Sequence, residues 1–552
     1  MKKNLLFFIL SFFTITAFAQ GGIQQLPKSW SLNLAQNPET IVLPRLNMES
    51  IYAQDSINDA IKNIPWRFGL ERNFSISIDN DGLWTTLDDG SRVWRALIQS
   101  PGALNISINF NEFYIPEGSQ FHLFNAAHTD VSRTYTFNDN SEYRQMGSWF
   151  VEGDTLWLEY FEPKNSVETP EIEVSSIIHG YRLGEVIILP DGTRGINESG
   201  DCNYDVNCPI GADFDSKKDV LKKSIALVNL GNGYLCSASL INNTRNDKTP
   251  YLLTANHCLE NSDPAFWSVR FNWVSPNPAC GTGADSGNMQ TNFTMSGAKL
   301  ISNNSYSDFA LVELQNRIPN SWDVAFAGWD NSDTNPQFEV GIHHPNGDIM
   351  KVCRDNSGAQ KTDANGTQVW LIGGGAHGTG NGWEIGTTES GSSGSPLFNE
   401  EGKIIGQLYA GQAGCDGLQN NNDYDIYGRL GISWNTGNTP QKRLKEWLDP
   451  AETGQTSIET LQNILNTPEF DMTGDLQIFP NPASSALTVL NYKYPNLKYA
   501  FVNALGQIYG KGSLSSTMNS ISVSGMSEGI YFLYLLDEDT NDSITKKIVV
   551  KR

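Results

Sequence analysis

Apolar and polar residues alternate with a period of two along much of this chain, and the alternation predicts strands. Phe74-Ser75-Ile76-Ser77-Ile78, Leu104-Asn105-Ile106-Ser107-Ile108-Asn109-Phe110 and Asp154-Thr155-Leu156-Trp157-Leu158-Glu159-Tyr160 each place every second side chain on one face. Asn80-Asp81-Gly82 and Pro116-Glu117-Gly118 supply the turns between them. Further on, Ile225 to Leu230, Tyr251 to Ala255, Phe309 to Leu314 and Ile404 to Ala410 read as strands, and Lys442 to Leu448 has the spacing of a short closing helix. Asn466-Thr467-Pro468 and Thr473-Gly474 mark a linker over 466–474, and a small all-β unit starts at Leu476. The expectation is a mainly β protein in three units, 20–194, 195–465 and 475–552. The middle one, β-rich with a terminal helix, fits a double β-barrel.

The first residues have another pattern. Lys2 and Lys3 precede an apolar run from Leu5 to Thr16, and Ala17-Phe18-Ala19 is a small-x-small site. This reads as a secretory signal over 1–19, removed after Ala19. The run is too short to span a bilayer comfortably, and no later segment approaches transmembrane length. At 552 residues the chain is too long for one core. A formal net charge of -23 argues against nucleic acid or an anionic membrane as partner. All seven cysteines lie between Cys202 and Cys415, which in an exported protein suggests disulfides within one unit and leaves at least one thiol, or an intermolecular bond, over.

Three segments of the middle unit carry chemistry. Leu253-Thr254-Ala255-Asn256-His257-Cys258 offers a histidine, Ser307-Asp308-Phe309 an aspartate, and Gly391-Ser392-Ser393-Gly394-Ser395-Pro396 a serine. A serine hydroxyl needs an imidazole to take its proton and a carboxylate to fix the imidazole tautomer. The order His257, Asp308, Ser393 is the chymotrypsin order. Glycines around Ser393 allow a tight bend, so the amides of Gly391 and Ser393 can converge as an oxyanion hole. Histidines 122, 128 and 179 are scattered and are read as packing residues. With no His-Glu-x-x-His and no paired-Cys zinc spacing, no metal and no cofactor are expected. Gly373-Gly374-Gly375-Ala376-His377-Gly378 is too irregular for a nucleotide site and is expected to border the cleft.

Residues 202–456 resemble the lysyl endopeptidases, secreted bacterial serine proteases of the chymotrypsin clan. The resemblance rests on Cys202-Asn203-Tyr204-Asp205-Val206-Asn207-Cys208-Pro209, the His257, Asp308 and Ser393 segments, and Ala327-Gly328-Trp329-Asp330. It continues through Ile342-His343-His344-Pro345-Asn346, Tyr427-Gly428-Arg429 and Trp447-Leu448-Asp449-Pro450. It implies His257 as general base, Asp308 as its orienting acid, Ser393 as nucleophile, and structural roles for His343 and His344. It also implies disulfides Cys202–Cys415, Cys208–Cys280 and Cys236–Cys258, leaving Cys353 as the free thiol. Asp425 matches the carboxylate that binds a basic side chain before the scissile bond, with Asp423 a weaker rival. Ile372 and Tyr409 stand where lysine-selective members carry a Trp and a His, so strict lysine selection is not implied and cleavage after Lys and/or Arg is expected.

Arg194 is the only basic residue between Arg182 and Lys217. Self-cleavage at Arg194–Gly195 would make residues 20–194 a pro-region, which assists folding or blocks the cleft; the rival is a substrate-binding domain that stays attached. Trypsin-type activation is not expected, because Ser392 stands where an aspartate would pair with the new amine. At the other end, Phe479-Pro480-Asn481-Pro482-Ala483, Asn503-Ala504-Leu505-Gly506-Gln507, Gly529-Ile530-Tyr531-Phe532-Leu533 and Lys546 to Lys551 resemble the sorting domain of the type IX secretion system. The resemblance implies that secretion machinery as partner and a product released outside the cell or held on its surface. The expected molecule is a monomeric secreted endopeptidase acting on proteins and peptides. The alternative is an adhesin or binding protein on an inactive protease scaffold.

Overall fold

The computed structural model describes residues 25–32, 34–59, 62–182, 199–275, 277–282, 293–374, 382–462, 476–491, 497–503, 508–514, 517–537 and 543–551. The molecule is mostly β, as the alternation predicts. The N-terminal unit stacks two five-stranded sheets. One contains Thr40–Val42, Leu83–Thr86, Arg92–Gln99, Gln120–Asn125 and Thr155–Glu162. The other contains Gly69–Ser77, Asn105–Tyr114, Met146–Gly147, Val151–Glu152 and Glu171–Gly180. Inward residues from both, including Trp94, Ile98, Ile108, Phe110, Leu158 and Tyr160, form a single core. His122 and His179 are buried, and His128 stacks on Trp30 at 4.8 Å.

The alternation does not foreshadow the helix Glu49–Asn58. Its buried Asp55 ties it down, pairing with Arg67 at 2.6 Å and Arg182 at 3.0 Å and accepting from the Tyr181 hydroxyl at 2.7 Å.

The middle unit consists of two eight-stranded antiparallel sheets, each curled around its own core. The first runs Thr294–Ser296, Ser268–Phe271, Ile225–Asn229, Tyr234–Leu240, Tyr251–Ala255, Phe309–Leu314, Ala298–Asn304. Its eighth strand, Trp66–Arg67, comes from the N-terminal unit and pairs with Tyr234–Leu240. The second runs Tyr204–Asp205, Lys351–Asp355, Glu339–His343, Pro396–Asn399, Ile404–Gly411, Asp425–Arg429, Thr367–Ile372, Gln360–Ala364. A third core, with Phe309, Trp329, Val352, Phe398 and Trp434, joins the two sheets.

The closing helix expected over 442–448 is instead a 3-10 turn, Pro440–Lys442, followed by a single α-turn, Lys445–Leu448. Arg443, extended at φ -153°, separates the two. A short helix not expected from sequence, Leu430–Asn435, follows the Asp425–Arg429 strand directly.

The N-terminal unit is fastened to the first curled sheet. Trp66, Phe68, Trp149 and Ile178 pack against Leu227, Leu235, Trp273 and Ile349. Asn109 Nδ2 donates to the Gly231 carbonyl at 2.7 Å. Gly147 lies so close that an added Cβ would come within 1.8 Å of the Phe266 carbonyl oxygen. The C-terminal unit has a three-stranded sheet (Leu476–Phe479, Ala486–Asn491, Met518–Ser522) and a four-stranded one (Ile508–Leu514, Leu497–Asn503, Gly529–Asp537, Ser543–Val550) around a separate core.

Candidate active site

Ala255 ends one strand of the first sheet and Phe309 begins the next, and the two are register partners. The residues just beyond this pair, His257 and Asp308, are therefore neighbours. Asp308 adopts a left-handed conformation at φ 52°, a region that aspartate tolerates better than most residues. The Asp308 carbonyl accepts from the Asn256 amide at 2.8 Å. Oδ1 accepts from the His257 amide at 3.0 Å, and Oδ2 meets His257 Nδ1 at 2.8 Å. Burial pushes the Asp308 carboxyl above its ordinary range, against the pull of His257. With Nδ1 donating to the carboxylate, Nε2 keeps its lone pair; it is buried and has no partner among the described residues. The Cys236–Cys258 disulfide ties the histidine turn to strand Tyr234–Leu240.

The serine turn is pressed against the same sheet. Gly391 and Gly394 take φ of 91° and 81°, and a Cβ on Gly394 would lie 2.1 Å from Thr254 Oγ1. The Ser237 amide donates to the Ser393 carbonyl at 2.8 Å, and Ser237 Oγ to the Gly391 carbonyl at 3.1 Å. His343 Nδ1 meets Ser392 Oγ at 2.8 Å, and His344 Nδ1 donates to the Asp348 carbonyl at 2.8 Å. Burial lowers both imidazoles, His344 to about 4 and His343 well below its usual value, so neutral rings buttress the turn. The amides of Gly391 and Ser393 donate to no acceptor among the described residues.

Ser393 Oγ donates at 2.9 Å to the carbonyl of Lys62, a residue of the N-terminal unit. The Lys62 side chain enters the second sheet, where Nζ reaches Asp425 Oδ1 at 2.8 Å and Thr388 Oγ1 at 2.7 Å. Asp425 is fully buried. Its Oδ2 accepts from Trp383 Nε1 at 2.7 Å and from Thr388 Oγ1 at 2.6 Å, so one carboxylate oxygen faces the cation. Ile372 is the register partner of Asp425 and packs in the core of the second sheet. Tyr409 stands with its ring 6.3 Å from that of His257. Half-buried Asp423 is turned to its own loop, its Oδ1 accepting from the Tyr424 amide. Lys62, Trp383 and Thr388 have no distinguishing local pattern and escape sequence reasoning.

Cys202–Cys415 and Cys208–Cys280 are the other two disulfides, and Cys353 is a buried free thiol that burial makes harder to ionise. Ser199 Oγ donates to Asp348 at 2.6 Å and the Gly200 amide to Glu389 at 2.9 Å, anchoring the segment that leads to Cys202. Ala19, Arg194 and Gly195 lie outside the described residues, as does the Gly373–Gly378 loop beyond Gly374. Among the described residues no cluster could hold a metal ion, and no helix is long and apolar enough to cross a membrane.

A family model of the lysyl endopeptidase C-terminal domain matches residues 196–428, and one of the secretion system C-terminal sorting domain matches residues 477–551. The lysyl endopeptidase of Pseudomonas aeruginosa is 25% identical over 356 residues, 62% of this chain and 74% of that protein. Two solved structures align only loosely. PorZ of Porphyromonas gingivalis, described as an essential surface component of the type IX secretion system, gives a TM-score of 0.13 at 7% identity. The alignment takes in 57% of this chain and 33% of PorZ. A biofilm-associated protein BSP domain gives 0.12 at 10% identity, over 90% of this chain and 69% of that one. Scores this low carry no argument. The sequence matches make this a protease-like exported chain whose sorting domain directs it through the type IX machinery to the cell surface or beyond.

Proposed function

We propose that this chain, which carries a lysyl endopeptidase domain ahead of a sorting domain, is a serine endopeptidase cutting on the carboxyl side of basic residues. One observation carries the reading. When a lysine side chain reaches the buried Asp425, the carbonyl of that same lysine arrives 2.9 Å from Ser393 Oγ. A pocket charge and a nucleophile spaced by one lysine residue are what cleavage after lysine requires.

His257 Nε2 takes the Ser393 proton as Oγ attacks the scissile carbonyl, and Asp308 stabilises the resulting imidazolium. The amides of Gly391 and Ser393 receive the oxyanion, worth roughly 3 to 4 kcal/mol per donor. His257 then protonates the leaving amine, and water releases the acyl group from Ser393. Asp425 selects the basic side chain, while Thr388 accepts from its ammonium and donates to Asp425. Arginine enters the same pocket. Residues 1–19 are removed after Ala19 on export, and 20–194 form a pro-region released by cleavage at Arg194–Gly195. N-terminal sequencing of active secreted enzyme tests that site, and an intact Arg194–Gly195 bond there rejects it.

The main test is cleavage of a mixed peptide library by secreted protein, with Ser393→Ala as control. Cuts after Lys and Arg should fall by about a million-fold in the variant. Processed protein that neither cuts nor reacts with an active-site serine phosphonate would be a binding scaffold instead.

A further inference from the structure

The basic-specificity pocket of the intact chain is already filled from within. Lys62 is 5% exposed, and its ammonium has two acceptors, Asp425 and Thr388. A buried carboxylate without a counter-ion is costly, so the pocket favours being occupied. The segment that presents Lys62 is held on both sides. Asp55 upstream pairs with Arg67 downstream, closing a loop around Lys62, and Trp66–Arg67 is hydrogen-bonded into the first sheet against Tyr234 and Leu235. Asn63 lines the adjoining cleft with Tyr409, Tyr424 and Ile426.

The pose is not the one that leads to cleavage. For attack, the serine hydroxyl points at the imidazole and the carbonyl oxygen rests on the oxyanion amides. Here the Ser393 hydroxyl is spent on the Lys62 carbonyl, and among the described residues His257 Nε2 has no partner and the Gly391 and Ser393 amides donate to no acceptor. Oγ keeps its proton and is directed at the oxygen of the Lys62 carbonyl rather than at its carbon. We propose that Lys62 is a built-in pseudosubstrate, a lysine on a closed loop that fills the pocket uncut and holds the unprocessed chain latent. This rests on the reading of Asp425 and Ser393 given above.

The test is the rate at which a biotinylated lysyl phosphonate labels the intact full-length chain, read as the full-length band on a gel. Lys62→Gln should label at least tenfold faster than wild type, whereas Lys62→Arg, which keeps the cation, should stay slow. Intact wild type labelling as fast as Lys62→Gln overturns the proposal while leaving the protease reading in place. If neither intact nor processed protein labels, the pocket reading falls and the pseudosubstrate falls with it. A second measurement does not depend on the Lys62 variants. Intact Ser393→Ala chain cannot process itself and should exclude the fluorescent basic ligand p-aminobenzamidine. Saturable binding to that chain rejects the proposal.

Discussion

The Asp425 carboxylate meets the Lys62 ammonium through one oxygen while neighbours hold the other. Trp383 and Thr388 both donate to Oδ2, which fixes the carboxylate plane and leaves Oδ1 for the incoming ammonium. Thr388→Val removes a donor to a charged acceptor and a partner of the ammonium. A hydrogen bond to a charged group contributes about 1.5 to 3 kcal/mol, so kcat/KM on lysyl peptides should fall at least about tenfold. An unchanged kcat/KM would show that Thr388 has no part in the pocket. At this scale the sequence is legible where residue type and neighbours coincide. His257, Asp308 and Ser393 each sit in a short distinctive segment, and Asp425 lies two residues before Tyr427-Gly428-Arg429. Lys62 has no such surroundings. Its meaning comes from a partner 363 residues away, and no local pattern encodes a contact of that span.

The two curled sheets meet beside Asp308 and Asp425. The Ser307 carbonyl accepts from Gln407 Nε2 at 2.7 Å and faces Gly428, where an added Cβ would come within 1.8 Å of that oxygen. Gly428→Ala must displace Ser307 and, through it, Asp308. Turnover should fall with little change in KM, and the thermal midpoint should drop; a variant with unaltered kcat would show the two sheets to be uncoupled here. A second prediction concerns the histidine turn. Removing the Cys236–Cys258 bond, as a double Cys→Ser variant, should cost about 3 kcal/mol by the loop-entropy model, measured by urea unfolding. Strands at Tyr251–Ala255 and Phe309–Leu314 are legible because they are mostly apolar, interrupted only by Thr254 and Glu313, and lie in a buried sheet. The helix expected over 442–448 is confined to Lys445–Leu448 for a tertiary reason. The Arg443 carbonyl is taken by Ser302 Oγ at 3.0 Å, and its guanidinium binds Glu446, so the chain straightens there.

Across the whole molecule, buried carboxylates such as Asp55, Asp205 and Asp425 are paired with cations, whereas several buried histidines are kept neutral. Burial lowers His122, His179 and His344 each to about 4, whereas an unfolded histidine titrates near 6.5. Because the folded values are depressed, their contribution is complete above about pH 6.5 and is lost as pH falls towards 4. By pH 5 the loss is about 2 kcal/mol for each histidine. The urea midpoint should therefore drop between pH 7.5 and pH 5, and a flat profile would contradict the burial of these rings. His122 and His179 lie in the N-terminal sandwich, so that unit should share in the acid sensitivity. Residues 183–198 join this sandwich to the segment that begins at Ser199. While that join is whole, Lys62 meets Asp425 within one molecule, whatever the volume around it. Once it is cut, the same contacts become an encounter between two separate bodies, and escape depends on the space available. An enzyme released beyond the cell surface would then be switched on by dilution, with its own departure acting as the clock.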